Sequence, residues 1–339
     1  MPTFQIDHDI RRAHTLPSEF YTEERFFKIS KERIFARTWQ LIGRAEDVDS
    51  LFPVTILPGF LDEPVLIVRD GEKLKCLSNV CTHRGNILVE TPCRANLIRC
   101  GYHGRRFSLD GKFLSMPEFE TVENFPSGND DLPQIPFAER AGFLFASVDP
   151  VDKFNAFVND AAVHLEDIDP AALIYTGSRE YEIDAHWALY CENYLEGLHI
   201  PFVHRSLNEV VDYGTYTTET FRYSSLQTGF DTCGKVAGRY LFIFPNTMFN
   251  FYPWGISVNI VRPITARKSI VSFLTYVLDE SKLETGAGAN LHDIEMEDEA
   301  VVESVQNGIC SRFYKGGRYS PTREQGTHHF HRLIAEFIG

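Results

Sequence analysis

The sequence has no long apolar run. No window approaches the length of a membrane-spanning helix, and the N-terminus, Met1-Pro2-Thr3-Phe4-Gln5, lacks the basic stretch and apolar core of a secretion signal. A soluble, cytoplasmic protein without a membrane partner is therefore expected. Basic charge is scarce too: 47 acidic against 33 basic side chains give a formal charge of -14, which excludes nucleic acid and anionic membranes as natural partners. Seven cysteines in 339 residues are too sparse, and odd in number, for a disulfide scaffold, so their spacing has to be read for thiolate chemistry or metal binding. Internal repeats and low-complexity tracts are missing as well. Core-forming material is plentiful, at 43% apolar and 13% aromatic residues over a length sufficient for two domains.

Along the chain, residues 22–39 carry Phe26, Phe27, Ile34 and Phe35 among charges, the pattern of an amphipathic entry helix. From 53 to about 148 the pattern changes to short β-like runs, such as Val65-Leu66-Ile67-Val68 and Gly142-Phe143-Leu144-Phe145. Asp70-Gly71 and Asp110-Gly111 punctuate them as hairpin turns. Asp149-Pro150 marks a boundary, and the Asp- and Ala-rich stretch after it suggests a surface helix. A helix is expected over about 185–200, ended by Pro201, which cannot continue the hydrogen-bond ladder. Strand-like runs at 240–244, 247–252, 256–261 and 270–278 predict a broad antiparallel sheet. A glycine-containing break at 286–290, a helix over about 293–310 and a short C-terminal helix complete the chain.

Two constellations carry chemistry. In the first, Cys81-Thr82-His83 and Cys100-Gly101-Tyr102-His103 give C-x-H and C-x-x-H with sixteen residues between them. Thiolate and imidazole ligands leave iron–sulfur and zinc as candidates. The single-residue gap of the first pair favours a cluster with cysteine on one iron and histidine on the other over a structural zinc knuckle. Gly85, Gly101 and Gly104 flank the ligands and let the loop backbone approach closely. The double motif closely resembles the Rieske [2Fe-2S] signature. That resemblance implies Cys81 and Cys100 on the inner iron and neutral His83 and His103 on the outer one. The familiar motif continues with tryptophan after the second His-Gly, where this chain has Arg105, a departure expected to alter a local partner surface. Of the remaining cysteines, Cys76, Cys191, Cys233 and Cys310 read as buried small hydrophobes and Cys93 as a loop residue. His328, His329 and His331 read as surface and packing residues of the last helix.

The second constellation is His199 and His204, five residues apart. With the helix ended at Pro201, His204 is expected to fold back so that both imidazoles converge, with Glu196 on the same helical face as His199. A third ligand follows from periodicity. At about 100° per residue, Ile294, Val301, Val302, Val305 and Ile309 share an arc centred on Asp298, while Glu297, Glu299 and Glu303 point outside it. An ionised carboxylate on a core-facing arc requires a partner charge or a metal. Two histidines and one carboxylate leave open positions on iron for oxygen.

Together the motifs resemble the catalytic (alpha) subunit of Rieske non-haem iron oxygenases, of the aromatic-ring-hydroxylating dioxygenase and choline monooxygenase-like group, over nearly the whole chain. The resemblance implies an α+β protein with an N-terminal helical segment (1–38), an all-β Rieske domain (39–150) and a helix-grip catalytic domain with an antiparallel sheet (151–339). It implies a [2Fe-2S] cluster on Cys81, His83, Cys100 and His103, and mononuclear Fe(II) on His199, His204 and Asp298, which stands eight residues before Gln306. Glu196 falls at the acid that bridges the two centres between neighbouring subunits of a homotrimer; glutamate there is similar to the branch that oxidises quaternary ammonium compounds. Electrons would come from NAD(P)H through a flavin-dependent reductase, with or without a ferredoxin, for the oxidation of a small molecule by O2. Hydroxylation, N- or O-demethylation and arene cis-dihydroxylation are all open at this stage. Phe202, Phe242, Phe244, Phe249, Phe251, Tyr252 and Trp254 are expected as aromatic walls able to cage a trimethylammonium group. A non-catalytic Rieske electron carrier or ligand-binding protein, and a zinc protein, are the readings of other classes.

Overall fold

The computed structural model describes residues 4–158, 169, 172–283 and 285–339. Beyond Val158, the stretch expected to form a surface helix falls largely outside the described residues. The chain forms two compact units, Ala36–Val151 and a second made of Met1–Phe35 with Asp152–Gly339.

Short, β-branched and aromatic runs separated by turn residues give the unit Ala36–Val151 three small antiparallel sheets. In the first, Gln40–Arg44 pairs with Phe143–Ala146, which pairs with Phe137–Arg140. The second runs Leu51–Ile56, Glu63–Asp70, Lys73–Ser78. Its hairpin closes at the pair Asp70 and Lys73, where Gly71 takes a left-handed φ of +62°. The third runs Ile98–Arg99, Arg106–Phe107, Phe113–Ser115. Leu66, Val68, Leu77, Ile98 and Phe107 fill the core, and Cys81 and Cys100 belong to the same cluster. Both candidate thiols are thus held by packing rather than by exposed loop tips.

In the second unit, Ile174–Ile183, Lys268–Val277, Gly255–Thr265, Thr247–Tyr252, Val236–Ile243, Ser224–Phe230 and Thr217–Thr220 follow one another as a seven-stranded sheet, every neighbouring pair antiparallel. The helix Trp187–Tyr194 packs on the strand Gly255–Thr265 and on the long helix Leu291–Ile309, while Gln325–Ile338 covers the far edge. Trp187 is fully buried, with Phe35 and Phe330 against it at 4.8 and 5.7 Å between ring centroids. Truncating it to alanine would cost on the order of 3–5 kcal/mol in lost burial and cavity formation. Gln306 is buried and its Oε1 accepts the backbone N–H of His186 at 2.8 Å, tying the long helix to the start of Trp187–Tyr194.

Several expectations are corrected. The entry helix expected over 22–39 is shorter, Glu24–Arg33, followed by a 3-10 turn at Phe35–Arg37 and preceded by a short helix, Ser18–Thr22. The helix expected over 185–200 stops at Tyr194: the Leu195 N–H folds back onto the carbonyls of Cys191 and Glu192, and the chain leaves the helix well before Pro201. On Leu291–Ile309 the buried face carries Glu295, Val302, Gln306 and Ile309, while Val305 is exposed, because the helix turns a polar pair into the core in place of a purely apolar stripe. Cys233 and Cys310 are exposed, on a hairpin turn and a helix end. His328 and His331 are buried, and His331 Nδ1 lies 2.6 Å from the Tyr319 hydroxyl, so this pair packs internally. No helix among the described residues is long and apolar enough to cross a membrane.

Candidate metal centres

In the Ala36–Val151 unit the two Cys/His loops have the same construction. The Cys81 N–H donates to the Asn86 carbonyl at 2.8 Å and Gly85 N–H to Cys81 O at 2.9 Å; Cys100 N–H donates to Arg105 O at 2.8 Å and Gly104 N–H to Cys100 O at 3.1 Å. Each turn closes through a glycine in the left-handed region, Gly85 at φ +71° and Gly104 at φ +74°, where a side chain would be strained. Cys81 and Cys100 are buried, whereas His83 and His103 are only partly so, their rings 4.8 Å apart and inclined at 74°. Burial raises the Cys81 thiol. Burial also opposes ionisation of Cys100, but the backbone N–H groups of Tyr102 and His103 aimed at its sulfur outweigh it and lower that pKa. Burial, with His103 beside it, lowers His83, favouring the neutral imidazole a metal needs. His103 Nδ1 is buried without a protein partner. Two adjoining thiols and an orphaned imidazole nitrogen fit an iron–sulfur cluster.

Arg105, the departure expected to alter a local partner surface, turns inward. Its side chain is 2% exposed, paired with Asp130 at 2.7 Å and flanked by the rings of Phe107, Phe113 and Phe125. The guanidinium and its aromatic neighbours occupy the interior, where tryptophan's bulk would otherwise be used.

The second constellation lies in the other unit. His199 is the N-cap and His204 the C-cap of a four-residue helix, Ile200–Val203, with Pro201 in its first turn, where no N–H is needed. Pro201 therefore starts a turn instead of ending a helix, and one turn brings the imidazoles to the same carboxylate. His199 Nε2 and His204 Nε2 lie 3.6 and 2.9 Å from Asp298 Oδ1, and the three ligating atoms fall within 4.8 Å of one another. Asn193 Nδ2 donates to Asp298 Oδ1 at 2.7 Å. Both Nδ1 atoms face carboxylates: Glu196 Oε1 is 2.6 Å from His199 Nδ1, and Glu297 Oε2 is 2.8 Å from His204 Nδ1. With Nδ1–H donated to a carboxylate, each Nε2 lone pair is free to bind a cation, the arrangement that orients metal-ligating histidines. Burial opposes charge on His204, yet its bonds to Asp298 and Glu297 outweigh this and raise its pKa. Glu196 also accepts the N–H groups of Leu198 and His199, fixing it in the turn and not on a helical face. Glu297, expected to point away, reaches the site because its arc on the helix borders that of Asp298.

His199, His204 and Asp298 open on a cavity whose walls differ from expectation. Of the seven aromatic residues expected, only Tyr252 lines it. Phe202 is 84% exposed, and Phe249 belongs to the opposite face of its strand, since Asn250 and Tyr252 face the cavity and side chains alternate. Beside Phe273, the aromatic walls are phenols, among them Tyr194, Tyr216, Tyr240 and Tyr252, with Tyr240 6.4, 6.5 and 6.0 Å from the other three between centroids. Burial raises all four above the ordinary phenol value, so they are neutral at physiological pH. Tyr190 and Glu295 also line the cavity. The Tyr190 hydroxyl donates to Glu295 Oε2 at 2.7 Å, and burial holds the Glu295 carboxyl well above the carboxylate range. Alternation within the strands was the signal that could have separated Tyr240 and Tyr252 from Phe249.

Residues 38–126 match the family model of the Rieske [2Fe-2S] domain, and residues 215–339 that of the ring hydroxylating alpha subunit (catalytic domain). The chloroplastic choline monooxygenase of Arabidopsis thaliana is 32% identical over 96% of this chain and 83% of its own length. The chain belongs to the Rieske non-haem iron oxygenases. The carnitine monooxygenase oxygenase subunit of Escherichia coli (strain K12) is 28% identical over 96% of this chain and 94% of its own length. A solved structure of a quaternary ammonium Rieske monooxygenase, described as giving insight into carnitine oxidation by gut microbiota and inter-subunit electron transfer, matches with a TM-score of 0.81 and 25% identity, both chains covered in full. As a Rieske oxygenase catalytic subunit, the protein is an oxidoreductase that carries a [2Fe-2S] domain and a mononuclear-iron catalytic domain, and it works with a separate reductase and oxygen.

Proposed function

We propose that this Rieske oxygenase hydroxylates a C–H bond of a quaternary ammonium compound, with Cys81, His83, Cys100 and His103 holding the [2Fe-2S] cluster and His199, His204 and Asp298 holding the mononuclear iron. The observation that carries the substrate class is the cage of neutral phenols, Tyr194, Tyr216, Tyr240 and Tyr252, in the same cavity as the triad. A trimethylammonium head is a large, weakly hydrated cation, and a ring face attracts it by about 2 kcal/mol when desolvated. The names of the choline and carnitine monooxygenases among its relatives support the same class. When bound, the cluster supplies single electrons and the iron activates oxygen.

The chain's own residues do the rest. Glu196 and Glu297 hold the two imidazoles in the tautomer that presents Nε2. Its contact with His199 supports the reading of Glu196 as the carboxylate that links His199 to a Rieske histidine of a neighbouring subunit, in a homotrimer fed by a flavin-dependent reductase, directly or through a ferredoxin. Hydroxylation at an N-methyl group consumes one O2, two electrons and two protons, leaves water, and gives a carbinol that releases formaldehyde. The test supplies reductase, NADH and oxygen and scores product from choline, betaines and carnitine against aromatic acids and arenes. Formaldehyde or an oxidised alcohol from a quaternary ammonium compound is expected. A cis-diol from arenes, with no quaternary ammonium product, would replace this reading with that of a dihydroxylating dioxygenase.

A further inference from the structure

We propose that Glu295 is the specificity-determining carboxylate that pairs with the cationic head of the substrate, so that the cavity selects a monocationic trimethylammonium alcohol over a zwitterion. The proposal rests on the quaternary ammonium reading above and goes beyond it, because phenol rings attract the ammonium head whatever the rest of the molecule carries.

Among the described residues three carboxyl groups line the cavity, and two are committed. Glu196 is bound to His199 and to two backbone N–H groups; Asp298 is bound to His204 and Asn193. Glu295 is 4% exposed, with one oxygen on the Tyr190 hydroxyl and the other, Oε1, buried without a hydrogen-bond partner. A buried carboxyl with no counter-charge stays neutral, and a cation entering the cavity supplies the charge that lets it ionise; among the described lining residues it is the uncommitted acidic partner. Glu295 also precedes Asp298 by three residues on one helix, an axial step of about 4.5 Å, so a head paired with it sits beside the triad.

The opposite charge is missing. No lysine or arginine is among the described residues that line the cavity. The polar groups left are neutral: Asn193 bound to Asp298, Asn250 accepting from the Tyr194 hydroxyl, and Ser257 donating to Asn259 at 2.8 Å. They serve a substrate hydroxyl. Apart from the iron, whose charge Asp298, Glu196 and Glu297 already face, a substrate carboxylate would find no cation there and would share the cavity with Glu295, which disfavours it.

The test uses anaerobic holoenzyme, with cluster and iron in place, titrated calorimetrically with choline, with its neutral isostere 3,3-dimethyl-1-butanol, and with L-carnitine. Choline should bind at least tenfold more tightly than either of the others. Glu295→Gln keeps the shape and an acceptor for Tyr190 but removes the charge; it should weaken choline tenfold or more, leave the isostere within about twofold, and leave iron and cluster content unchanged. Tyr190→Phe, which keeps the charge, should hold choline within about threefold of wild type. Equal weakening of choline and its isostere by Glu295→Gln would reduce the residue to a packing role and overturn the proposal, as would wild-type L-carnitine binding as tight as choline. That last result leaves the quaternary ammonium reading standing, whereas no binding by either quaternary ammonium compound removes both. Should the glutamine variant fail to fold, the wild-type comparison of the three probes decides alone.

Discussion

Glu297 Oε2 lies 2.8 Å from Nδ1 of His204, on the side of the ring away from Asp298. A half-exposed acid thus orients a buried imidazole whose other nitrogen faces Asp298. Glu297→Ala should lower iron affinity about 10–100-fold, the usual cost of losing such an outer carboxylate. Iron retention against a chelator measures it, with the cluster's visible absorbance unchanged. Asp298→Ala should go further and empty the iron site, abolishing product; turnover that survived this change would show that Asp298 is no ligand.

Glu196 is held by His199 and two backbone amides, so Glu196→Gln should leave the turn folded. Both centres should stay filled. Re-oxidation of the reduced cluster in a single turnover with oxygen and substrate should slow at least tenfold, since the amide carries no charge between the imidazoles. An unchanged rate would place the electron route elsewhere.

Arg105 and Asp130 form a pair with the arginine side chain buried among three phenylalanine rings, and the arginine holds the Asp130 carboxyl below its usual value. Arg105→Ala strands Asp130 and opens a cavity, and should cost about 3 kcal/mol, at the low end for buried pairs because Asp130 is partly exposed. Differential scanning calorimetry of the holoprotein, following the loss of cluster colour, reports it. Restoring the family's tryptophan at this position should recover packing only if Asp130 is changed to asparagine as well.

His186 is wholly buried, and burial holds its pKa down to about 3 against 6.5 for the free side chain. The unfolded chain therefore takes up a proton that the folded chain refuses. Stability from this group is whole above pH 6.5 and is lost as pH falls from there towards 3; by about pH 5 the loss is about 2 kcal/mol. Urea midpoints near pH 7 and near pH 5 should differ less in His186→Asn, which keeps a side-chain acceptor for the Ala188 N–H. Equal pH sensitivity in the two proteins would assign the acid loss to other groups.

The Rieske domain was legible because the spacing of its Cys/His motifs is local. Cys81 to His83 and Cys100 to His103 each sit within one turn, and glycine marks where each turn must close with positive φ. The sheet was legible for the same kind of reason, since β-branched and aromatic runs between turn residues announce strands whatever they pack against. The place of Arg105 was not legible, because only three converging rings and Asp130 make an interior position favourable for a guanidinium. Phe202 and Phe249 were read as cavity walls because hydrophobicity does not reveal which side of a strand or turn faces a site. Glu295 was missed because a glutamate among Glu297, Glu299 and Glu303 on a charged helix carries no mark of burial until Tyr190 is placed against it.

The sequence by itself determined the kinds of metal chemistry available, through Cys81, His83, Cys100, His103, His199 and His204, and the order of the elements that bear them. Tertiary structure alone decided which carboxylates contact those histidines and which aromatic residues line the cavity beside them. The reason is distance along the chain. His204 and Asp298, or Tyr190 and Glu295, are about a hundred residues apart, and their contact depends on how a helix is rotated against its neighbours, which no local pattern of residues encodes.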